Sequence, residues 1–293
     1  MPTEPRTAWP PKRLAAGVVL YYPPAEASGL IALLVEQFDQ IFVVENESRI
    51  FEATDMPIRM ISNQTNRGLA AANNQLCQVA REAGFEWLVL FDQDSRVPRG
   101  FRSRFAECFK ALDQPPALLA ANYSTELLGE SFSGYRTPPG QAVAESAVAL
   151  NSGSMIHLPL HLELGGHDES FFVDHVDHDY CLRLRSAGYE VRSTGTALFE
   201  HKVGPVVATR KLGRTWQSTG HSAERRRSWA AGLGRLVRLH WRNEPLWCAR
   251  MLGMHFPKEL GAMLILETDR GRKARAMLAG LLQGLIRPGA IPG

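Results

Sequence analysis

The sequence is poor in cysteine and has no long apolar run. Its 293 residues contain four cysteines, which form no CxxC pair: Cys77, Cys108, Cys181 and Cys248. This spacing argues against a zinc knuckle or a disulfide framework, so each thiol is expected to be a small core residue in a reducing compartment. No stretch reaches the roughly 18 consecutive apolar residues of a membrane-spanning helix.

The beginning of the chain also lacks the apolar segment of a secretory signal. Residues 1–13, MPTEPRTAWPPKR, are expected to form a short disordered leader. The composition, with 45% hydrophobic and 22% charged residues, is that of a globular protein. We therefore expect a cytoplasmic protein whose first domain begins at residue 14.

Charge is distributed unevenly along the chain. From residue 201 onward, 17 Lys and Arg oppose 5 Asp and Glu, a net charge of +12. The whole chain has 33 basic and 30 acidic residues, so the first 200 residues carry 16 − 25 = −9. Acidic groups can hold a metal, whereas a basic surface attracts phosphates or anionic lipid headgroups. A solvated helical face explains the basic region equally well.

Short apolar runs alternate with helical patterns over the first 125 residues. The patterns predict strands at 14–21, 41–44, 58–61 and 87–91, and helices at 27–38 and 68–83. Such alternation is typical of an α/β fold with a mostly parallel central sheet and right-handed crossovers. Residues 123–146, rich in Gly, Pro and Ser, are predicted to be a loop, and residues 222–286 to be helical.

An acidic motif follows the predicted strand at 87–91. Ligands of open α/β sheets bind beyond the carboxyl ends of the strands, so residues at this position are candidates for a site. Asp92 and Asp94, on either side of Gln93, can both turn towards one ligand. Carboxylates suit Mg²⁺ or Mn²⁺, and such a metal stabilises a departing diphosphate. A surface turn explains this short motif equally well.

A second acidic cluster begins a predicted helix within 171–191. It contains Asp174, Asp177 and Asp179, and one carboxylate there could take the proton from an attacking hydroxyl. Acidic residues also cap helix N-termini, which is the interpretation we favour for Asp174. His201 follows an apolar run ending at Phe199, and it is either a ligand or a structural residue.

Seven segments together resemble a known family. They are GVVLYYPP (17–24), VVENES (43–48), NRGLAAANNQ (66–75), WLVLFDQDS (87–95), NSGSMI (151–156), ESFFVDHVDHDYCLRLRSAGYEV (169–191) and EHKVG (200–204). In this order they resemble the inverting family 2 glycosyltransferases of GT-A fold, over about residues 15–205. The DQDS and FVDHVDHDY segments are similar to the rhamnosyltransferase subgroup, which builds rhamnolipids and O-antigen chains.

The resemblance implies a role for each matching residue. It implies a metal site of Asp92, Asp94 and His201, with Asp94 as the more direct ligand. It implies Asp177 as the catalytic base and Asp179 as a supporting acid. The residues implied to bind the nucleotide sugar are Tyr21, Glu45, Asn66, Arg67, Asp92, Gln93, Ser152 and Gly153. Two positions depart from the pattern: Glu45 replaces a common Asp, and Val176 replaces an acid that many relatives carry.

The implied protein has a GT-A catalytic domain at 14–205 and a basic helical region at 206–293. The implied reaction transfers L-rhamnose from dTDP-L-rhamnose to a hydroxyl of a glycolipid or saccharide, assisted by Mg²⁺ or Mn²⁺. A UDP- or GDP-sugar donor and a degenerate, non-catalytic binding module are the alternatives. A nucleotidyltransferase would need a Gly-rich basic loop where this chain has Tyr21-Tyr22-Pro23-Pro24.

The basic helical region has three possible partners. Its mixture of basic and apolar residues would suit the inner face of a membrane. The same helices could instead pack on the catalytic domain or form a homo-oligomer. No nucleic-acid partner is expected, because the run at 225–227 lies in no recognised nucleic-acid-binding module.

Overall fold

The computed structural model describes residues 10–47, 57–127, 130–135, 137–138, 140–201, 207–211 and 214–286. Most of the predicted leader, residues 1–9, lies outside the described residues. Residues 202–204 of the EHKVG motif also lie outside them.

One large sheet forms the centre of the molecule. Its strands are β1 (Ala15–Leu20), β2 (Gln40–Asn46), β3 (Ile58–Asn63), β4 (Trp87–Asp92), β5 (Leu118–Leu127), β6 (Glu130–Ser133), β7 (Val143–Glu145), β8 (Ser154–His157) and β9 (Val191–Glu200). Their order is β3-β2-β1-β4-β8-β5-β9-β7, with β6 paired to β5. β1 lies parallel to both β2 and β4, so the strand order reverses at β1 and opens a crevice at the carboxyl ends of β1 and β4.

Helices cover both faces of this sheet. They are α1 (Glu26–Val35), α2 (Gly68–Glu82), α3 (Phe101–Phe109), α4 (Leu158–Glu163) and α5 (Val176–Ser186). Alternate residues of a strand point to opposite faces, so Val18 and Leu20 pack with α1 and α3, whereas Ala15 packs with α2, α4 and α5. The Ala-rich sequence of α2 lets this helix lie close to the sheet.

The predicted α/β class is confirmed, and the sheet differs from the prediction in its second half. Among the described strands of this sheet, four pairings are parallel and four are antiparallel, and each antiparallel pairing involves β6, β7 or β8. The loop predicted at 123–146 is wrong in part, because it contains the end of β5 and all of β6 and β7. There, pairing with neighbouring strands outweighs the local Gly and Pro signals.

The chain after the main sheet is a hairpin followed by helices. The hairpin consists of β10 (Val207–Lys211) and β11 (Arg214–Ser218). The helices are α6 (Ala223–His240), α7 (Pro245–Arg250), a π-helical turn (Met251–His255), α8 (Phe256–Leu266) and α9 (Arg270–Ile286). The predicted helical segment at 222–286 is therefore confirmed. Within the part of the chain described, no helix has the length and apolarity that crossing a bilayer requires.

The last helix packs very closely on α6. A Cβ atom on Gly280 would collide with the carbonyl oxygen of Arg227, and one on Gly284 would collide with that of Ala231. Glycine at both positions therefore allows backbone contact between the two helices. Met277 and Leu233 fill the core beside this contact.

Candidate active site

Two carboxylates and one imidazole converge at the carboxyl edge of the sheet. Asp92 is the last residue of β4, Asp94 lies in the following turn, and His201 comes directly after β9. One ligand atom from each residue lies within 4.8 Å of the others. The backbone N–H of His201 donates to the carbonyl of Ser124 at 3.0 Å, which fixes the histidine at the edge of β5.

These residues fit a divalent metal. The Nδ1 atom of His201 is buried and has no hydrogen-bond partner among the described residues. Burial raises the pKa of Asp92, and the charges of Asp94 and Asp177 act in the same direction, while Asn151 and His201 oppose them. A cation would offset this cost, and carboxylates with one imidazole suit Mg²⁺ or Mn²⁺.

A relay of amide side chains holds the Asp92 carboxylate. Asn151 donates from Nδ2 to Oδ1 of Asp92 at 2.9 Å, and Asn73 on α2 donates to Oδ1 of Asn151 at 2.7 Å. Both asparagines are buried. The sequence analysis missed them, although an Asn inside the Ala-rich run of α2 was a signal that a polar group is buried there.

Ser152 and Gly153 lie behind the acidic motif and do not line the cleft. Ser152 is fully buried, accepts from the Asp92 N–H at 3.2 Å, and shares a 2.6 Å hydrogen bond with Ser95. Gly153 donates its N–H to the carbonyl of Leu90 at 2.7 Å. Both residues thus support the turn that carries the acidic motif.

Asp177 lies in the same cleft as the three candidate metal ligands Asp92, Asp94 and His201, and this cleft has a volume of about 560 Å³. It lies in the first turn of α5, and its Oδ1 accepts from the N–H of His178 at 2.8 Å. The polar groups lining the cleft include Asp92, Gln93, Asp94, Asn151, Asp174, Asp177, His178, His201, Arg225 and His255. The structure therefore brings the predicted base and the predicted metal ligands together.

Asp179 lies outside this cleft. It is 1% exposed, and its two oxygens accept from Arg183 at 2.8 Å and pair with His240 at 2.9 Å. Asp174 does not cap α5, because His175 occupies the N-cap position and no side chain caps the helix there. Instead, Oδ1 of Asp174 accepts from Arg225 at 2.7 Å.

The residues predicted to bind the nucleotide lie beside the metal group, at the carboxyl ends of β1 to β3. Tyr21 is 42% exposed, and its backbone exchanges two hydrogen bonds with the Gln93 amide, of 2.9 and 3.0 Å. These bonds bridge the crevice between β1 and β4. They hold the acidic motif in register with the end of β1.

Buried asparagine side chains shape the rest of this edge. Asn46 donates to Asn66 at 2.8 Å and accepts from the backbone N–H of Arg67 at 2.9 Å. The Arg67 side chain is exposed. Glu45 is 2% exposed and accepts from Ser62 at 3.3 Å. Asn46, which received no specific role from the sequence, connects the end of β2 to the turn before α2.

Comparison with known proteins supports the predicted resemblance. No protein-family profile matches the chain. A curated relative, the dTDP-rhamnosyl transferase RfbF of Shigella flexneri, is 28% identical over 207 residues, which cover 64% of this chain and 69% of the relative.

Two solved structures share the fold. GalNAc-T7, crystallised with UDP, GalNAc and Mn²⁺, aligns with a TM-score of 0.57 and 11% identity over 82% of this chain, which spans half of that protein. Residues 1–349 of S. aureus TarS align with a TM-score of 0.51 and 12% identity, covering 92% of this chain and 70% of TarS. This chain therefore has the fold of the GT-A glycosyltransferases.

Within this fold, hydrogen bonds and ion pairs connect helix α6 to the segment that carries the predicted base. The ties are Arg235 to Asp168 at 3.3 Å, Arg225 to Asp174 at 2.7 Å, the Trp229 carbonyl to His175 at 3.0 Å, and His240 to Asp179 at 2.9 Å. Just beyond α6, Glu244 accepts from Arg185 at 2.7 Å. The cleft itself is also lined by residues from both sides of residue 205.

Proposed function

We propose that this protein is a glycosyltransferase, and specifically an inverting rhamnosyltransferase. It transfers L-rhamnose from dTDP-L-rhamnose to a hydroxyl of a glycolipid or saccharide, as in the assembly of rhamnolipids or O-antigen. The observation that carries the proposal is the placement of Asp177 opposite Asp92, Asp94 and His201 in one cleft. The name of the curated relative supports the dTDP-rhamnose donor.

Asp177 is the general base in the proposed reaction. Its carboxylate accepts the proton of the acceptor hydroxyl while that oxygen forms a bond to the anomeric carbon. The bond from this carbon to the diphosphate breaks at the same time, and the diphosphate leaves with the electron pair. The His178 N–H holds Oδ1 of Asp177, which leaves Oδ2 for the proton. Attack opposite the leaving group inverts the anomeric configuration.

Asp92, Asp94 and His201 would hold Mg²⁺ or Mn²⁺ in this proposal. When bound, the metal supplies positive charge that stabilises the diphosphate leaving group. The GalNAc-T7 structure, which shares the fold, contains both UDP and Mn²⁺. Gln93 and the Asn151 side chain keep the acidic motif in place by bonding to Tyr21 and Asp92.

The nucleoside would lie against the carboxyl ends of β1 to β3. The exposed Tyr21 ring suits stacking on a base, and the Glu45 carboxylate suits hydrogen bonds to a ribose. Asn66 and Arg67 would complete this pocket at the start of α2. Ser152 and Gly153 contribute by supporting the acidic motif, and Asp179 contributes by positioning α5 against α6.

Nucleotide binding and an Asp177→Asn variant test this function. A ligand that binds only the folded state raises its stability, so dTDP with Mn²⁺ should raise the melting temperature more than UDP or GDP does. Asp177→Asn should keep this shift and lose turnover of dTDP-L-rhamnose. A larger shift with UDP or GDP would mean that the donor is a UDP- or GDP-sugar instead. No shift with any nucleotide would favour a non-catalytic binding module, and near-normal turnover of Asp177→Asn would refute the base assignment.

We further propose a cytoplasmic enzyme that attaches peripherally to the inner membrane through its basic helical region. One face of α9 carries Arg275 followed by Leu278, Leu282 and Ile286, which are 52%, 58% and 65% exposed. Basic and apolar residues on one helix face suit an anionic bilayer. The division into a catalytic domain (14–205) and this region (206–293) belongs to the same proposal.

Vesicle sedimentation tests the membrane proposal. The protein should sediment with vesicles containing anionic lipid and much less with neutral vesicles, and Leu282→Glu should reduce this binding. Gln283→Glu, at a position facing Arg227 on α6, is the matched control for the added charge. A concentration-dependent dimer that Leu282→Glu disrupts, without vesicle binding, would assign the face to a homo-oligomer instead.

A further inference from the structure

The half of the cleft beyond Asp177 is built by the C-terminal helices. Trp229 and Arg225 come from α6, and Met251 and His255 come from the π-helical turn between α7 and α8. All four side chains are half-buried. A π-helical turn is rare and often occurs at functional sites. Here it brings Met251 and His255, its first and last residues, to the same cleft.

The aromatic rings in this half are held in place from behind. The Trp229 ring lies parallel to that of Phe256, with an interplanar angle of 4° and centroids 6.3 Å apart. His255 contacts the same indole with centroids 6.0 Å apart. The Trp229 carbonyl is also hydrogen-bonded to His175, which lies at the N-cap of α5. Trp229 therefore offers a fixed apolar surface with little conformational entropy left to lose on binding.

A charged pair lies beside this aromatic surface. Asp174 accepts from Arg225 through Oδ1, whereas its Oδ2 is buried and has no hydrogen-bond partner among the described residues. Both side chains line the cleft with Asp177. An unpaired buried carboxylate oxygen is costly, and a hydroxyl donor from a bound molecule would satisfy it.

Aromatic surface, a free carboxylate oxygen and a guanidinium together match a pyranose ring. Its C–H face can lie on the indole, and its hydroxyls can donate to Asp174 and accept from Arg225. An alkyl chain without a sugar would cover Asp174 but would supply no hydrogen-bond donor to its carboxylate. Because these groups adjoin Asp177, a ring bound here presents a hydroxyl to the predicted base.

We propose that Trp229, His255, Asp174 and Arg225 form a subsite for a pyranose ring of the acceptor. The acceptor is therefore a saccharide, or a glycolipid whose sugar enters the cleft, and not the hydroxyl of a sugar-free lipid. This inference rests on the proposed function and narrows its acceptor class.

Initial rates with dTDP-L-rhamnose test the subsite, using octyl glucoside, octyl rhamnoside and a 3-hydroxy fatty acid as acceptor probes. Hydrolysis of the donor by water is measured in parallel, because it does not require the subsite. Trp229→Ala and Asp174→Asn should each raise KM for the glycoside about tenfold or more, with donor hydrolysis and dTDP affinity unchanged. Trp229→Phe, which keeps an aromatic ring, should recover most of the affinity.

Trp241→Ala is the matched control, since this tryptophan follows α6 outside the cleft and is 49% exposed. It should leave the glycoside KM unchanged. The inference is overturned if only the fatty acid is glycosylated, if no glycoside is used while donor hydrolysis proceeds, or if Trp229→Ala and Asp174→Asn leave the glycoside KM unchanged. Failure to bind dTDP or to hydrolyse any nucleotide sugar would instead refute the proposed function.

Discussion

The two carboxylates of the acidic motif have different surroundings. Asp94 is exposed, whereas Asp92 is half-buried and bonded to Asn151, which is itself bonded to Asn73. Burial raises the pKa of Asp92, so this carboxylate depends on its neighbours to remain ionised. The amide relay orients one candidate ligand while the other remains open to the donor.

Asn151→Ala should weaken metal binding. Without the amide, Asp92 loses its orienting hydrogen bond, and removing such a partner typically lowers metal affinity about 10- to 100-fold. A Mn²⁺ titration followed by electron paramagnetic resonance measures this affinity directly. Gln78→Ala on α2, whose amide bonds to Glu82 at the surface, is the control. Unchanged Mn²⁺ affinity in Asn151→Ala would show that the relay does not support the metal group.

Gly153→Ala should destabilise the fold. Gly153 has a φ of +78°, and an added Cβ would lie 2.6 Å from Cε1 of Phe199. The strained backbone conformation and the collision together should cost about 1–3 kcal/mol of unfolding free energy. Urea denaturation measures this loss, with Gly84→Ala as the control, because Gly84 has a similar φ but an open surrounding. Equal losses in both variants would mean that Phe199 moves aside freely.

The candidate metal ligands and the candidate base could be predicted from the sequence. The residues that hold these side chains in place could not. Asp92, Asp94, Asp177 and His201 follow strands or begin a helix, so topology alone predicts that they meet. Asn151 supports Asp92 from a segment 59 residues away, and no local pattern encodes that pairing. Whether each predicted residue contacts the substrate remains a prediction.

At the scale of elements, α6 positions the start of α5, the helix that carries the predicted base. His175, with a φ of 68°, lies at the N-cap of α5 and bonds to the Trp229 carbonyl. A Cβ on Gly232 would lie 2.5 Å from Cδ2 of His175, so glycine at this position lets α6 approach the imidazole. The position of Asp177 therefore depends on the packing between these two helices.

Gly232→Val should reduce turnover without abolishing folding. The added side chain would displace His175 and shift Asp177, and a displacement of about 1 Å from the reacting geometry can cost about 100-fold in rate. We expect kcat to fall at least tenfold while dTDP binding persists. Gly271→Val, in the open first turn of α9, is the control. A normal kcat in Gly232→Val would show that the packing of α6 against His175 does not affect turnover.

The elements were predicted unequally well along the chain. Strands β1 to β4 follow from apolar runs because a buried parallel strand needs them. The β5–β6 pairing was missed because the side chain of Asn122 compensates for a sequence rich in turn residues: its Oδ1 accepts from the backbone N–H groups of Tyr123 and Tyr135. Such a contact between distant segments cannot be inferred from local periodicity.

At the scale of the whole molecule, four buried histidines oppose stability in acid. Burial lowers the pKa of His157 and His161 to about 4, that of His175 to about 3, and that of His167 well below its usual value. The unfolded chain takes up these protons near the ordinary value of 6.5. Stability is therefore present above this pH and is lost as the pH falls from 6.5 towards 4.

The melting temperature of the ligand-free protein should fall between pH 6.5 and about 4, and His161→Phe should make this fall less steep. Hydrogen bonds from Lys273, Ser218 and Arg226 outweigh burial and lower the pKa of Glu267 to about 2. Its stabilisation is lost between about pH 4.5 and 2, below the histidine range. A melting temperature that stays constant from pH 7 to 4.5 would contradict the histidine prediction.

The contacts between α6 and the segment that carries the predicted base also bear on how the protein folds during its own synthesis. A nascent chain that has emerged as far as His201 contains all three candidate metal ligands and the predicted base. It still lacks Trp229 to hold His175, and His240 to pair with the buried Asp179. Domains fold as units during translation. We therefore expect the cleft of a growing chain to reach its final arrangement only after α6 has emerged from the ribosome.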